Sequence, residues 1–167
     1  MGVEIERKFL IKSLPDDLNH YPCDTLTQAY ISTEPVIRVR QKNTDPQRPV
    51  RVRIRGDKAF LTVKGPNTGA VRSEFEYPIP VRDAEAMLET LALRPLIEKT
   101  RTCVRIGTHT WEIDCFFGEN EGLTVAEAEL TDENEALEKP EWIGREVTHL
   151  TRYFNSSLSE HPYSAWS

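Results

Sequence analysis

Pairs of like-charged side chains two residues apart are the feature of this sequence best suited to chemistry. The pairs are Glu4/Glu6, Arg51/Arg53, Glu74/Glu76, Glu112/Asp114 and Glu127/Glu129. In a β-strand, side chains two residues apart point to the same face. Like charges on one face repel each other unless a group of opposite sign lies between them. The pairs therefore predict strands whose charged faces meet one another or a charged ligand.

The chemistry follows from the types of group. Carboxylates without histidine or thiolate suit hard cations such as Mg²⁺ or Mn²⁺, whereas Arg and Lys suit phosphate oxygens. The four histidines and three cysteines are scattered, with no zinc spacing. A cavity holding both charge types predicts a polyphosphate bridged to a metal, and in-line attack of an activated water on its terminal phosphoryl group. There is no Walker loop, which argues against a P-loop enzyme.

Composition bounds the class of protein. The chain has 167 residues, a formal net charge of -6 and 38% hydrophobic residues, which predicts a water-soluble domain with its own core. The acidic balance argues against nucleic acid and the membrane surface as partners. The odd number of widely spaced cysteines favours a reducing compartment, and no signal-peptide pattern is present. We therefore expect a cytoplasmic protein and leave a homodimer open.

Periodicity predicts mostly strands. Alternation of charged and apolar residues indicates strands over residues 3–11, 26–32, 36–42, 50–55, 58–64, 71–77, 97–106, 110–116 and 123–130. Residues 81–93 have helical spacing and form the clearest helix; residues 13–18, 132–137 and 146–158 are weaker helical segments. Residues 43–49 are a loop by composition, and Gly56-Asp57 is a hairpin turn.

The strands could form an open antiparallel sheet with a charged solvent face. The division of charge favours another architecture, because some strands are purely acidic and others purely basic, so closure would place the two kinds opposite each other. A closed sheet of about eight strands has room inside for side chains and one small ligand. The prediction is an α+β domain over residues 1–167: a closed antiparallel barrel with a charged lumen and an apolar outside covered by helices.

An ordered series of motifs then resembles the CYTH superfamily, also called triphosphate tunnel metalloenzymes. Glu4-Ile5-Glu6-Arg7-Lys8 is similar to the N-terminal Glu-x-Glu-x-Lys signature of its small bacterial members. Segments similar to the family's pattern follow in order along nearly the whole chain: Gln28-Ala29-Tyr30, Leu61 to Gly65, Glu74-Phe75-Glu76, Glu98 to Arg101, Glu112-Ile113-Asp114, Glu127-Ala128-Glu129, Glu146-Val147-Thr148, and Arg152-Tyr153 with Asn155.

The resemblance implies a tunnel enzyme that hydrolyses a triphosphate with Mg²⁺ or Mn²⁺. It implies metal ligands at Glu4, Glu6 and Glu129, with Glu76, Asp114 and Glu127 as candidates for a second metal or its water. The groups that would grip phosphate are Lys8, Lys64, Lys99, Arg101, Arg152 and one Arg-x-Arg pair, either Arg38/Arg40 or Arg51/Arg53. The second pair is favoured because it keeps hairpin register with Lys64. The catalytic group would be Glu4, Glu6, Lys8, Lys99 and Glu129.

Four functions remain open at this point. Inorganic triphosphatase is favoured, because no strand supplies an obvious pocket for a base. Class IV adenylate cyclase and thiamine triphosphatase are alternatives within the family. A polyphosphate or nucleotide binding module is the non-enzymatic alternative, although an anion binder would gain nothing from the carboxylates without a metal. Arg7 is expected at the surface, while Arg72 and Arg105 could line either the tunnel or the surface.

Overall fold

A computed structural model describes residues 2–30, 50–65, 68 and 70–166 of the chain. The predicted strand over 36–42, with Arg38 and Arg40, and the predicted loop over 43–49 lie outside the described residues.

Eight of the described strands close into an antiparallel barrel. The strands in this part of the chain are β1 Gly2–Ile11, β2 Cys23–Tyr30, β3 Val50–Arg55, β4 Lys58–Lys64, β5 Val71–Ile79, β6 Ile97–Ile106, β7 His109–Phe116, β8 Thr124–Glu129 and β9 Ile143–Glu146. Their order is β5-β4-β3-β2-β6-β7-β8-β1, and β1 pairs back onto β5. Strand β9 lies outside this ring and pairs with the end of β1 at Phe9 and Ile11. The predicted closed barrel is thus confirmed.

The pairing of β1 explains how the ring closes. One edge of β1 pairs with β8 from Glu6 to Leu10. The other edge pairs with β5 over Gly2 to Ile5, and further along it pairs with β9. Since the charged positions of β1 alternate with apolar ones, closure turns Glu4, Glu6 and Lys8 inward together.

The predicted helices agree with the structure less closely than the predicted strands do. Helix α1 spans Val81–Thr90 and helix α2 spans Asn155–Glu160, and short 3-10 turns occur at Leu18–His20, Gly118–Asn120, Thr151–Tyr153 and Tyr163–Ala165. The prediction of a helix over 132–137 is wrong, because Glu135 accepts hydrogen bonds from the backbone N–H and hydroxyl of Thr131 and closes a turn instead. The predicted helix over 146–158 is split into the end of β9, a 3-10 turn and the start of α2.

Apolar packing outside the barrel has two centres. Phe9, Trp111 and Ile113 form one with their neighbours, covered by the turn at Leu18–His20 and the irregular segment near Trp142. The apolar face of β1 is therefore covered by a short 3-10 helix and irregular chain, and α1 and α2 lie elsewhere. The second centre does lie under a helix, since Ala84 and Leu88 of α1 pack on β2, β3 and β4.

A third apolar cluster lies inside the barrel and closes one end. Tyr30, Ile97, Phe116 and Val125 share strand faces with the charged lumen residues and pack around Leu158 of α2. Helix α2 therefore fills an end of the barrel, whereas α1 packs outside it. In the part of the chain that is described, no helix has the length and apolar character needed to cross a membrane.

Candidate functional site

The interior of the barrel holds a cavity of about 190 Å³ above this apolar cluster. Fourteen of its twenty lining residues are charged, seven acidic and seven basic, although the chain as a whole carries a net charge of -6. The basic members are Lys8, Arg51, Arg53, Arg55, Lys64, Arg72 and Arg101, and the acidic members are Glu4, Glu6, Glu74, Glu76, Glu112, Glu127 and Glu129. The strand pairing therefore concentrates charges of both signs in equal number at one cavity of an acidic protein.

One network of charges joins β1, β4 and β5. Glu4 lies opposite Arg72 in the β1–β5 register and accepts hydrogen bonds from Arg72 Nε at 2.7 Å and Lys64 Nζ at 3.1 Å. Lys64 also lies 3.1 Å from Glu74. Although burial opposes ionisation, Lys64 and Arg72 lower the pKa of Glu4 to about 2. Glu4 is thus a carboxylate whose charge is already compensated.

A second network joins β6, β7 and β8 to Lys8. Asp114 is fully buried and binds both Lys99 and Arg101. Arg101 also donates to Glu112 and, at 3.1 Å, to Glu127. Glu127 in turn pairs with Lys8 at 2.6 Å. Three cations and three carboxylates are therefore held in one group at the buried side of the cavity.

Arg51 is held more loosely than the members of this group. It is 6% exposed, and its Nη2 atom lies 3.2 Å from Thr62, 3.4 Å from Glu76 and 3.6 Å from Glu74. Its Nε has no hydrogen-bond partner among the described residues. Such a buried guanidinium retains donors for an anion.

Two carboxylates have too little positive charge around them. Glu6 and Glu129 are directly opposite each other across β1 and β8, an arrangement that is destabilising for like charges. Burial, with Glu127 and Glu4 nearby, raises the pKa of Glu6 to about 7. Burial and the charges of Glu4, Glu112 and Glu74 raise the pKa of Glu129. Among the described residues Glu129 has no ion pair, so this part of the cavity favours a cation.

Several basic groups show the opposite imbalance. Burial and the nearby Arg51 lower the pKa of Arg53 to about 10, and the same two causes lower the pKa of Lys64. Burial also lowers the pKa of Lys99 to about 8, although Asp114 opposes the change. The cavity thus contains places that favour an anion beside places that favour a cation.

Among the described lining residues, the metal donors are mainly carboxylate oxygens, joined by the amide oxygen of Asn155. This set of oxygen donors fits Mg²⁺ or Mn²⁺. Within the described ranges, no three acidic, histidine or cysteine side chains are gathered as a ready metal site. Glu4 forms ion pairs with Lys64 and Arg72, so its carboxylate does not point toward the other acidic side chains. The donor set fits a hard cation if Glu4 exchanges those partners.

The structure brings most of the sequence-predicted site residues together. Those that line the cavity are Glu4, Glu6, Lys8, Arg51, Arg53, Lys64, Glu76, Arg101, Glu127 and Glu129. Lys99 and Asp114 lie buried beside them. Arg152 is not among the lining residues, and its guanidinium lies 3.7 Å from the centre of the Trp166 ring. Arg7 pairs with Glu146 outside the cavity.

Several groups at the site have no role in the prediction from sequence. Glu74 and Glu112 belong to the like-charged pairs and Arg72 is a possible tunnel residue, so all three could have been included from the alternation of their strands. Asn155 could not, since its position depends on where α2 begins. It lines the cavity, and its buried Oδ1 has no hydrogen-bond partner in the described residues. Phe154, Ser156 and Thr148 line the same side.

Replacing Arg152 tests whether the C-terminal segment reaches the ligand through this side chain. We expect Arg152→Ala to leave catalytic activity within about twofold of wild type and to lower the melting temperature by about 2–4 °C, because an Arg stacked on Trp contributes about 1 kcal/mol. Steady-state kinetics and thermal unfolding measure both. A tenfold or greater rise in KM would restore Arg152 to the set of ligand-binding residues.

Comparisons with known proteins agree with this geometry. The chain is 46% identical over 165 residues to an inorganic triphosphatase of Acetivibrio thermocellus, covering 98% of this chain and 97% of that protein. It is 34% identical over 160 residues to an inorganic triphosphatase of Nitrosomonas europaea, covering 93% and 96%. The crystal structure of the inorganic triphosphatase NE1496 matches with a TM-score of 0.64 and 31% identity over 95% of each chain. The model of the CYTH domain family matches residues 2–163, and the chain therefore belongs to that family.

Proposed function

We propose that this protein hydrolyses inorganic triphosphate with the help of Mg²⁺ or Mn²⁺. The observation that carries the proposal is the pair of opposite imbalances in one cavity: Lys64 and Arg53 have lowered pKa values, while Glu6 and Glu129 have raised ones. A bound polyanion would relieve the first imbalance and a divalent cation the second. A triphosphate carrying its metal relieves both at once.

The relatives support the same assignment. The two curated relatives above carry the name inorganic triphosphatase, and triphosphatases of this family are metal-dependent in general. Most of the described lining of the cavity is charged, with Tyr30 and Phe154 as its aromatic members. An unsubstituted triphosphate is therefore the substrate that we favour over a nucleotide.

Glu6 and Glu129 would hold the metal, joined by Glu4. When bound, the cation would neutralise charge on phosphate oxygens and help to ionise the attacking water. Glu4 becomes available only if Lys64 and Arg72 turn to another anion, because both now bind it. We infer that the phosphate oxygens supply that anion, so that binding of the substrate and release of Glu4 occur together.

The basic residues would bind and orient the substrate. Arg51 has an unused Nε donor at the cavity, and Lys8 of β1 and Arg101 of β6 line the same cavity. In the reaction, the oxygen of water bonds to the terminal phosphorus as the bridging P–O bond breaks, leaving diphosphate and orthophosphate. The negative charge that develops on the leaving diphosphate would be stabilised by these fixed cations.

A substrate panel tests the proposed function. We expect the purified protein to release orthophosphate from tripolyphosphate with Mg²⁺ or Mn²⁺, to act at least tenfold more slowly on ATP and thiamine triphosphate, and to lose activity in EDTA. Phosphate release and chromatography of the products measure this. Cyclic AMP as the main product from ATP would replace the proposal with a cyclase, and binding of tripolyphosphate without turnover of any substrate would replace it with a binding module.

A further inference from the structure

Asp114 has no free oxygen in its fully buried position on β7. Its Oδ1 accepts a hydrogen bond from Arg101 Nε at 2.7 Å. Its Oδ2 accepts from Arg101 Nη2 at 2.7 Å and from Lys99 Nζ at 2.5 Å. We infer that Asp114 is a positioning residue, which holds Lys99 and Arg101 in place to receive phosphate oxygens, and that it is not a metal ligand. The inference rests on the proposed function and adds a positioning residue to that site.

Strand register creates this arrangement. Arg101 and Asp114 are direct partners across β6 and β7, and Lys99 is two residues before Arg101 on the same face. A carboxylate that meets one edge of a guanidinium with two hydrogen bonds fixes the plane of the group. The other contacts of Arg101 go to Glu112 and Glu127, both of which line the cavity. Four of the five N–H groups of Arg101 thus bind protein carboxylates. By fixing the plane of the guanidinium, Asp114 sets the direction of the N–H group that is left at the cavity.

Lys99 depends on the same carboxylate. It is 1% exposed, and its ammonium lies 5.3 Å from the centre of the Phe116 ring. A buried ammonium beside a guanidinium is costly unless an anion lies between them. Asp114 supplies that charge with one oxygen shared by both cations.

A metal at Asp114 would have to displace both cations. Each oxygen of the carboxylate already faces at least one N–H group, and a divalent ion there would stand beside Lys99 and Arg101 without a compensating ligand. Glu6 and Glu129 differ in this respect, since Glu129 has no ion pair among the described residues and Glu6 has one weak contact of 3.5 Å, with Arg72. The carboxylates that can accept a metal and the one that orients cations are therefore separate groups.

The isosteric variant Asp114→Asn tests the inference. One edge of the new amide would present N–H to a cation, so Lys99 and Arg101 should leave their positions. We expect kcat with tripolyphosphate to fall about 100-fold, as displacement by about 1 Å can cause, while the Mg²⁺ concentration for half-maximal activity stays within twofold of wild type. A tenfold rise in that concentration would overturn the inference, because it is the result expected for a metal ligand.

Calorimetry of tripolyphosphate binding to metal-free protein in EDTA gives a readout that does not depend on turnover. We expect Asp114→Asn to weaken this binding at least tenfold. The matched control is Glu135→Gln, which removes a carboxylate that hydrogen-bonds to His109 and Thr131 outside the cavity and should change neither kcat nor binding. If wild type binds the anion without hydrolysing it, the proposed function fails while the role of Asp114 is still tested here. Unchanged binding in Asp114→Asn would overturn that role.

Lys99→Met completes a double-mutant cycle. If Asp114 acts through Lys99, the double variant should lose much less activity than the product of the two single losses, whereas multiplicative losses would overturn the inference. The double variant also serves if Asp114→Asn fails to fold, because it removes a buried cation together with the buried charge. The double variant is then compared with Lys99→Met. An equal Mg²⁺ concentration for half-maximal activity supports the inference, and a tenfold higher concentration in the double variant overturns it.

Discussion

Glu6→Gln is expected to lower kcat/KM for tripolyphosphate about 100- to 1000-fold and, in the metal-free protein, to raise the melting temperature by about 2–4 °C. The loss of activity follows from the proposed role of Glu6 as a metal ligand, since an amide is a weaker and uncharged donor. The gain in stability follows from the register, which places Glu6 directly opposite Glu129. Removing one of two opposed charges relieves their repulsion.

The pH dependence of stability tests whether the gain in Glu6→Gln comes from the loss of the Glu6 charge. Folding holds the proton of Glu6 up to about pH 7, whereas its ordinary pKa is 4.5. The folded state therefore binds more protons than the unfolded state between these values, and its stability falls as the pH rises through this window. Thermal unfolding of metal-free protein from pH 4.5 to 8 should show a smaller decline in Glu6→Gln than in wild type.

A control for Glu6→Gln is Glu89→Gln, at an exposed position of α1, which should match wild type in activity. Saturating Mg²⁺ should reverse the order of the melting temperatures, because the ion stabilises only the protein that binds it well. Full activity in Glu6→Gln would show that Glu6 does not bind the metal.

The strands could be predicted from the sequence because their period is short and their charges are paired. The bounds predicted for β3, β4 and β6 are those of the structure, and Gly56 makes the predicted hairpin turn with a φ of 56°, which favours glycine. Closure of the sheet into a barrel could also be predicted, since it places the acidic strands opposite the basic ones and compensates their charges.

Partners that depend on register could not be predicted. The sequence places Asp114 on the inner face, but only the pairing of β6 with β7 shows that Lys99 and Arg101 occupy both of its oxygens. The C-terminal segment has no repeating sequence pattern, because neighbouring parts of it have different surroundings. Leu158 of α2 packs into the end of the barrel, whereas Arg152 in the preceding 3-10 turn packs on Trp166 away from the cavity. Long-range packing decides such segments, and local propensity does not.

The loose contacts of Arg51 lead to the other large effect. Arg51→Met is expected to lower kcat/KM for tripolyphosphate about 10- to 100-fold, because hydrogen bonds to a charged group contribute about 1.5–3 kcal/mol. Most of the change should appear in KM and in the affinity of the metal-free protein for the anion, if Arg51 binds substrate and transition state alike. Steady-state kinetics and calorimetry measure the two quantities.

The fold should tolerate this substitution, which makes the kinetic result interpretable. Glu74 keeps its ion pair with Lys64 at 3.1 Å, and Glu76 keeps Arg53 and the hydroxyl of Thr62, each at 2.9 Å. No carboxylate is left buried without a partner, so the melting temperature should stay within about 4 °C of wild type. Arg51→Lys distinguishes charge from geometry: a lysine that restored full kcat/KM would show that the cavity needs only a cation at this position, whereas we expect a partial recovery because lysine lacks the planar pair of donors that matches a phosphate.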